Sequence, residues 1–393
     1  MNAVSNSSAL PLSVQDLHLD FGKLSVTEAQ LAKVLHVIDV LDWDDVEAFS
    51  RFTKSSTKSP TGFMKLENDY FVINLSKHFA RGSFKSVKDA LFYNRAKKSA
   101  LLVVNSCAHL HRADDEGIAI LCAERNRRVL SLLRHVEDRA HFPRTYAVVG
   151  RHDADKQSVI QEKFDGDLVE LVNRQFKVGH SEVSRSQRIQ MCIQLLQQLV
   201  VLHENGIVHR DMKPDNVLYK VQRDGEGNIL DCRVGIIDFD MAIQEKDIGG
   251  DVDLMDGAIH YLPPEVWRAK YQGIDEMDIP TLKARDVWAL GAIIYHILEP
   301  GSCIPWLRYF DGKGHREIRF MMKELIRGKR VDGMEFLSFL STFYLPVAFK
   351  NRSPLNRILL KMLDPDPSKR PTADDALEEF RHHSAVADLP APA

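Results

Sequence analysis

The chain has 393 residues, 44% of them hydrophobic and 27% charged, enough to bury a sizeable core in two lobes with extensions. Its formal net charge of -3 supplies no basic field for nucleic acid or an anionic membrane, and no apolar run reaches membrane-spanning length. Five scattered cysteines (Cys107, Cys122, Cys192, Cys232, Cys303) form no CxxC pair and leave an odd count, which points to free thiols in a reducing, cytoplasmic compartment.

Residues 1–23 are polar and read as a disordered start without the basic and apolar regions of a secretory signal. A Ser/Asn-rich start also occurs on bacterial effectors secreted without cleavage, so action in a host cytosol is the alternative location. Residues 24–68 read as a helical extension and linker. Ser25 with Glu28 has the spacing of a capping box, and Leu31, Val34, Leu35, Ile38 and Leu41 follow on one helical face. That face either packs on the next domain or docks a partner. The Lys/Ser/Thr-rich stretch from Arg51 to Thr61 has linker composition.

From 69 to 161 short apolar runs separated by turns predict a small, sheet-rich lobe. Ala80-Arg81-Gly82-Ser83-Phe84-Lys85-Ser86-Val87 reads as strand, turn and strand with a single glycine, where the backbone is free of Cβ obstruction. Ser99 to Val104 is an apolar strand with no lysine inside it, and Glu124 to Leu133 is a helix with Leu130 and Leu133 inward. Gln161 to Leu168 is a connector into a larger, mainly helical lobe over 162–383. There Ser186 to Glu204 is an amphipathic helix, with Ile189, Ile193, Leu196, Val200 and Leu202 among its apolar positions, and Asp224 to Asn228 is a hairpin turn. Residues 384–393, rich in Ala and Pro, read as a disordered tail.

The chemistry is concentrated after that helix. Val208-His209-Arg210-Asp211-Met212-Lys213-Pro214-Asp215-Asn216-Val217-Leu218 places a carboxylate, an ammonium and a carboxamide on one short loop, and Ile236-Ile237-Asp238-Phe239-Asp240 adds a second carboxylate. Three further blocks follow: Gly257 to Glu265 with its Pro263-Pro264-Glu265, Arg285-Asp286-Val287-Trp288-Ala289-Leu290-Gly291, and Asp364 to Thr372 with Arg370.

This series resembles the catalytic loop, metal-binding segment and large-lobe anchors of eukaryotic-type protein kinases over roughly Tyr70 to His382. The resemblance implies a bilobal α+β fold, ATP and Mg²⁺ as cofactors, and a protein substrate phosphorylated on Ser or Thr, the specificity that goes with the loop cation Lys213. Asp211 would orient the hydroxyl and receive its proton, Lys213 would sit near the γ-phosphate, and Asn216 with Asp238 would hold the metal. Glu265 would pair with Arg370. In the connector, the backbone of Glu162 and Phe164 would meet the adenine edge, Asp167 the ribose, and Gln161 would be the gatekeeper. Ala80, Gly82, Val87, Ala100 and Leu218 would enclose the nucleotide.

The small lobe departs from the family. Counting from Val87 by the family interval puts the adenine-pocket alanine at Ala100 and the phosphate-gripping lysine at Leu102. Gly82-Ser83-Phe84-Lys85-Ser86-Val87 is similar to the with-no-lysine kinases, whose ammonium comes from the phosphate-covering loop, and this makes Lys85 the displaced lysine. The alternative is a pseudokinase that serves as a scaffold; a small-molecule kinase is disfavoured by the Pro-Pro-Glu and Arg370 anchors. The helix partner of the lysine stays open between Asn126, Glu124 and Glu116. Between Asp240 and Glu265 Tyr261 is the sole hydroxyl, so the segment has no Ser or Thr for a switching phosphate, and Asp247, Asp251, Asp253 and Asp256 are the acids that could meet Arg210 instead. Asp240 stands where the family has Gly, Ala258 where Ser/Thr kinases place a Thr, and Pro263 where Ala is usual.

Overall fold

The computed structural model describes residues 19, 24, 26–40, 63–66, 69–75, 80–81, 85–109, 116–136, 142–149, 156–171, 183–247, 254, 256–274, 276–299, 306, 310, 312–341 and 353–387. Gly82, Asp251, Asp253, Ser25, the Arg51 to Thr61 stretch and residues 388–393 of the tail lie outside them, as do most of residues 1–23, while residues 384–387, expected in the disordered tail, form the last turn of a helix. The described residues divide between two compact units, Met1–Ala123 with Arg144–Lys163, and Glu124–Pro143 with Phe164–Ala393.

The first unit is built on a seven-stranded antiparallel sheet. Helix α1 (Glu28–Val40) precedes β1 (Phe63–Lys65), β2 (Tyr70–Asn74), β3 (Ala80–Arg81), β4 (Lys85–Asn94) and β5 (Ser99–His109). After the first part of α2 (Glu116–Leu133) come β6 (Thr145–Val149) and β7 (Lys156–Glu162), giving the order β1-β2-β4-β5-β7-β6 with β3 on β4. The cap of α1 is supplied by Thr27, whose hydroxyl accepts from Gln30 N while the Gln30 carboxamide accepts from Thr27 N, so the box sits two residues beyond the Ser25/Glu28 pair. Leu31, Val34, Leu35 and Ile38 pack with Phe71, Ile73, Leu75, Leu91 and Tyr93 of the sheet. The protein's own sheet therefore covers the face that spacing marks as apolar. Asp39 ties the same contact down, accepting from the Tyr93 hydroxyl at 2.8 Å and pairing with Lys98 at 2.6 Å. Burial and the Asp39 carboxylate together push the Tyr93 phenol up.

In the second unit a three-stranded sheet, β11-β10-β8, is formed by β8 (Gly166–Asp167), β10 (Val217–Arg223) and β11 (Ile229–Ile236), the last two joined at the expected Asp224 to Asn228 turn. Its edge strand β11 lies against α3 (Arg185–Glu204), which starts at a Ser184/Gln187 capping box. Glutamines of α3 satisfy that edge. Gln198 donates to Val234 O at 2.9 Å and accepts from Ile236 N at 2.7 Å, while Gln194 accepts from Val234 N and donates to Cys232 O. The edge amides are thereby paired inside the fold rather than left as a template for aggregation. The short strands β9 (Ile207–Val208) and β12 (Ile243–Gln244) pair antiparallel. The helices α4 (Pro264–Gln272), α5 (Ile279–Leu298), α6 (His315–Ile326), α7 (Phe336–Ser341), α8 (Pro354–Met362) and α9 (Ala373–Ala387) complete the unit. Buried Trp267, Trp288 and Trp306 anchor its core. Among the described residues Cys107, Cys122, Cys192 and Cys232 are free thiols, and burial pushes Cys232 up to about 12, which leaves it protonated and unreactive at neutral pH. No helix among the described residues is long and apolar enough to cross a membrane.

Candidate active site

The loop after β9 turns sharply because Arg210 adopts a left-handed conformation, φ 67°, which a non-glycine residue holds only when its surroundings impose it. Those surroundings come from α5. Asp286, buried at 1% exposure, accepts from His209 N at 2.7 Å and from Arg210 N at 2.9 Å, with the His203 ring at 3.3 Å. These donors hold its carboxyl below the usual carboxylate range although burial alone would raise it. The His209 ring is fixed at both nitrogens: Nδ1 accepts from Asp211 N at 3.2 Å, which places the proton on Nε2, 3.1 Å from Ile237 O.

Asp211 stands at the centre. Its Oδ2 accepts from Lys213 Nζ at 2.8 Å and from Asn216 Nδ2 at 3.0 Å, and the same Asn216 amide donates to Asp211 O at 2.9 Å. Its Oδ1 is buried and has no hydrogen-bond partner among the described residues. An orphaned carboxylate oxygen is costly unless a ligand completes it, and a substrate hydroxyl is the chemistry it fits. Burial acts to lower the Lys213 pKa, but the Asp211 charge and hydrogen bond and the Asp238 charge outweigh it, so the ammonium is held above its ordinary value.

The two residues expected to hold a metal, Asn216 and Asp238, are linked through backbone. Ile237 N donates to Asn216 O at 3.0 Å, which sets Asp238, itself left-handed at φ 66°, beside the 3₁₀ turn Pro214–Asn216. With its amide nitrogen committed to Asp211, Asn216 could offer its side-chain oxygen to a metal, as Asp238 could its carboxylate. Two protein oxygens suit Mg²⁺, which takes one or two protein ligands and completes its shell with water and phosphate. Phe239 is buried between the rings of His209, 5.2 Å away, and Phe142, 6.5 Å away. Leu218 and Asp167 are ladder neighbours, and Asp167 also accepts from Glu170 N. Phe164 is buried beneath the Arg233 guanidinium.

Of the acids expected near Arg210, the structure brings Asp256, whose Oδ2 is 3.3 Å from Arg210 Nη2. Glu265 on α4 and Arg370 form a bidentate buried pair at 2.6 and 2.7 Å, and Arg370 also donates to Asp364 O and Ala284 O and lies over the Trp288 ring.

The sheet unit places its expected residues differently. Ala80 pairs with Val87, and Lys85 with Ala108, so Lys85 and Val87 share one face of β4 at the end of the strand that pairs with β3. Ala100 does not join them. It pairs with Tyr93 beside the opposite turn and packs in the α1 cluster, while Leu102 pairs with Leu91 and is 38% exposed. The family interval presumes a shorter hairpin than the one formed by β4 and β5. The residue across from Val87 is Ser106, six positions beyond Ala100 and so about 20 Å along the strand. Directly opposite residues share a face, which puts Ser106 with Val87 and Lys85. The long even run of Lys85 to Asn94, with a turn at Arg95 to Lys98, was the signal for this register. At the end of β7, Glu162 N donates to Arg144 O, and the Gln161 carboxamide donates to Thr145. On α2, Glu124 pairs with Arg128 at 2.7 Å and Asn126 is buried.

A protein kinase domain model matches residues 76–380, and the chain belongs to that family. It is 27% identical over 330 residues to the calcium/calmodulin-dependent protein kinase type II delta subunit of Oryctolagus cuniculus, covering 80% of this chain and 50% of that one. It is 26% identical over 250 residues to the serine/threonine-protein kinase cds1 of Schizosaccharomyces pombe, covering 62% and 48%, and 25% identical over 202 residues to a putative serine/threonine-protein kinase of Acanthamoeba polyphaga mimivirus, covering 51% and 58%. The chain spans about half the length of these curated relatives.

Proposed function

We propose that this protein transfers the γ-phosphoryl group of ATP to Ser or Thr hydroxyls of a protein substrate, with Lys85 supplying the phosphate-binding ammonium that β5 lacks. The observation that carries the reading is Asp211: one oxygen is fixed by Lys213 and Asn216, and the other is left for a hydroxyl. That oxygen accepts the hydroxyl proton as the nucleophile approaches phosphorus, while Lys213 stabilises charge on the transferring group. Mg²⁺, held by Asn216 and Asp238, would neutralise the phosphates. Ser/Thr specificity rests on Lys213 in the loop and on relatives of that class.

The lysine-free β5, with Ala108 across from Lys85, favours a second reading, a scaffold with no turnover. Mg²⁺-dependent transfer of label from γ-labelled ATP to the protein itself and to a generic basic protein, followed by phosphoamino-acid analysis, separates the two. Labelled Ser or Thr that disappears on chelation supports the enzyme. No transfer above background under any divalent cation leaves the scaffold.

A further inference from the structure

We propose that Arg285 is a positioning residue that clamps the activation segment onto the catalytic loop and so does the work usually left to a phosphate. The proposal rests on the kinase reading above. Arg285 lies in α5 at 2% exposure, directly before Asp286 and the apolar run Val287 to Ile294. A guanidinium is removed from water only at large cost unless its donors are met, and here they are met by backbone carbonyls. Nη2 donates to Arg210 O at 2.8 Å and to Asp256 O, and Nη1 donates to Leu254 O at 2.8 Å. Asp286 grips Arg210 by its N–H and Arg285 grips it by its C=O, so consecutive residues of one buried helix fix the left-handed residue that immediately precedes Asp211.

The other half of the clamp is the segment itself. Gly257 has φ 99°, and a Cβ there would stand 2.2 Å from Arg210 O and 3.0 Å from Arg285 Nη2. The chain reaches this junction only with glycine. Leu254, whose carbonyl is held, is buried at 3% exposure, and Asp256 turns its carboxylate back to the Arg210 side chain. Arg210 and Arg285 repel across this site, yet burial and that repulsion bring Arg285 down only to about 10, so it remains a cation at neutral pH. Since residues 241–265 contain no Ser or Thr, a clamp aimed at carbonyls fixes Leu254 and Asp256 without a modification.

The test measures kcat, the KM for MgATP and hydrogen exchange across residues 254–258 in the full chain and in Arg285→Met, Arg285→Lys and Gly257→Ala. The clamp predicts that Arg285→Met lowers kcat roughly a hundredfold with KM for MgATP within about threefold, and that Arg285→Lys recovers part of the loss. It predicts at least tenfold faster exchange at 254–258 in both Arg285→Met and Gly257→Ala. Should Arg285→Met fail to fold, Gly257→Ala decides, because it leaves the helix intact and displaces only the segment. Unchanged exchange at 254–258 in Gly257→Ala, or kcat within twofold of the parent in either variant, overturns the proposal. If the parent transfers no phosphate, the kinase reading fails, and the exchange measurement still decides whether the clamp holds the segment.

Discussion

The loop after β9 was expected to carry catalytic groups and the strand β5 the adenine-pocket alanine, and the two are held in place by different physics. In the loop every offset is tied to backbone: Asp286 on two N–H groups, Asn216 on Asp211 O, Ile237 N on Asn216 O. Inserting a residue there would break a buried hydrogen bond, so sequence spacing and spatial position cannot drift apart. In β4 and β5 the ladder can grow by a pair of residues at the turn with no bond left unmade, and position along the strand then parts from position in the sequence. Spacing is a reliable guide where polar contacts fix it and a poor one where a hairpin can lengthen.

The largest effect should come from the rigid region. Asp211→Asn keeps an acceptor for Lys213 but removes the proton acceptor, and should lower transfer by roughly 10²- to 10⁴-fold while nucleotide affinity stays near that of the parent. Asp238→Asn should instead raise the dissociation constant for MgATP and leave nucleotide binding without metal little changed. Equal rates in both variants would break the contrast, since the loop would then be no more than a turn.

Next in size is the buried pair. Glu265→Gln leaves Arg370 charged beside a neutral partner and should cost about 3 to 5 kcal/mol, read as a fall in the urea midpoint at unchanged slope. Asp286→Asn should cost less, about 1 to 3 kcal/mol, because the amide oxygen still serves one of the two N–H groups. Its pH dependence carries a sign. The folded carboxyl of Asp286 is depressed below its unfolded value near 4, so its contribution is complete above about pH 4 and is lost as pH falls through the folded pKa. The stability difference between parent and Asp286→Asn should be flat from pH 8 to about 4 and narrow below that. A gap that widens on acidification would contradict the assignment. The smallest effect is none: Ser/Thr phosphatase treatment should leave activity within error, because the segment 241–265 has no residue for it to act on. Loss of activity after tyrosine-specific phosphatase treatment, traced by mass spectrometry to Tyr261, would show a switch after all.

What could be read from sequence follows the same division. The grouping of Asp211 with Lys213 and Asn216 and the Glu265–Arg370 pair were legible because each lies in a short polar block with fixed offsets. The α1 face was legible from the 3.6-residue spacing of Leu31, Val34, Leu35 and Ile38, although its cap moved to Thr27, since either hydroxyl satisfies the same rule. Ala100 was misplaced because family counting ignores the length of the β4–β5 hairpin. The glutamine ladder of α3 and the carbonyl contacts of Arg285 were not legible at all: a side chain that bonds backbone of a distant segment leaves no pattern at its own position beyond a polar residue in an apolar helix.

The most direct test of the account moves one charge. Lys85→Met should cost about tenfold to a hundredfold in transfer, the value of a charge-assisted contact to phosphate, whereas Lys97→Met and Lys98→Met, at the far turn, should cost little. Lys85→Gly should then regain activity when combined with Ala108→Lys, which pairs with position 85, and regain little with Leu102→Lys, which faces Leu91. Recovery through Ala108 alone is the predicted result. Equal, small losses for all three single lysine changes, with no recovery from either transplant, would contradict the account and leave a kinase fold without a phosphate-binding lysine.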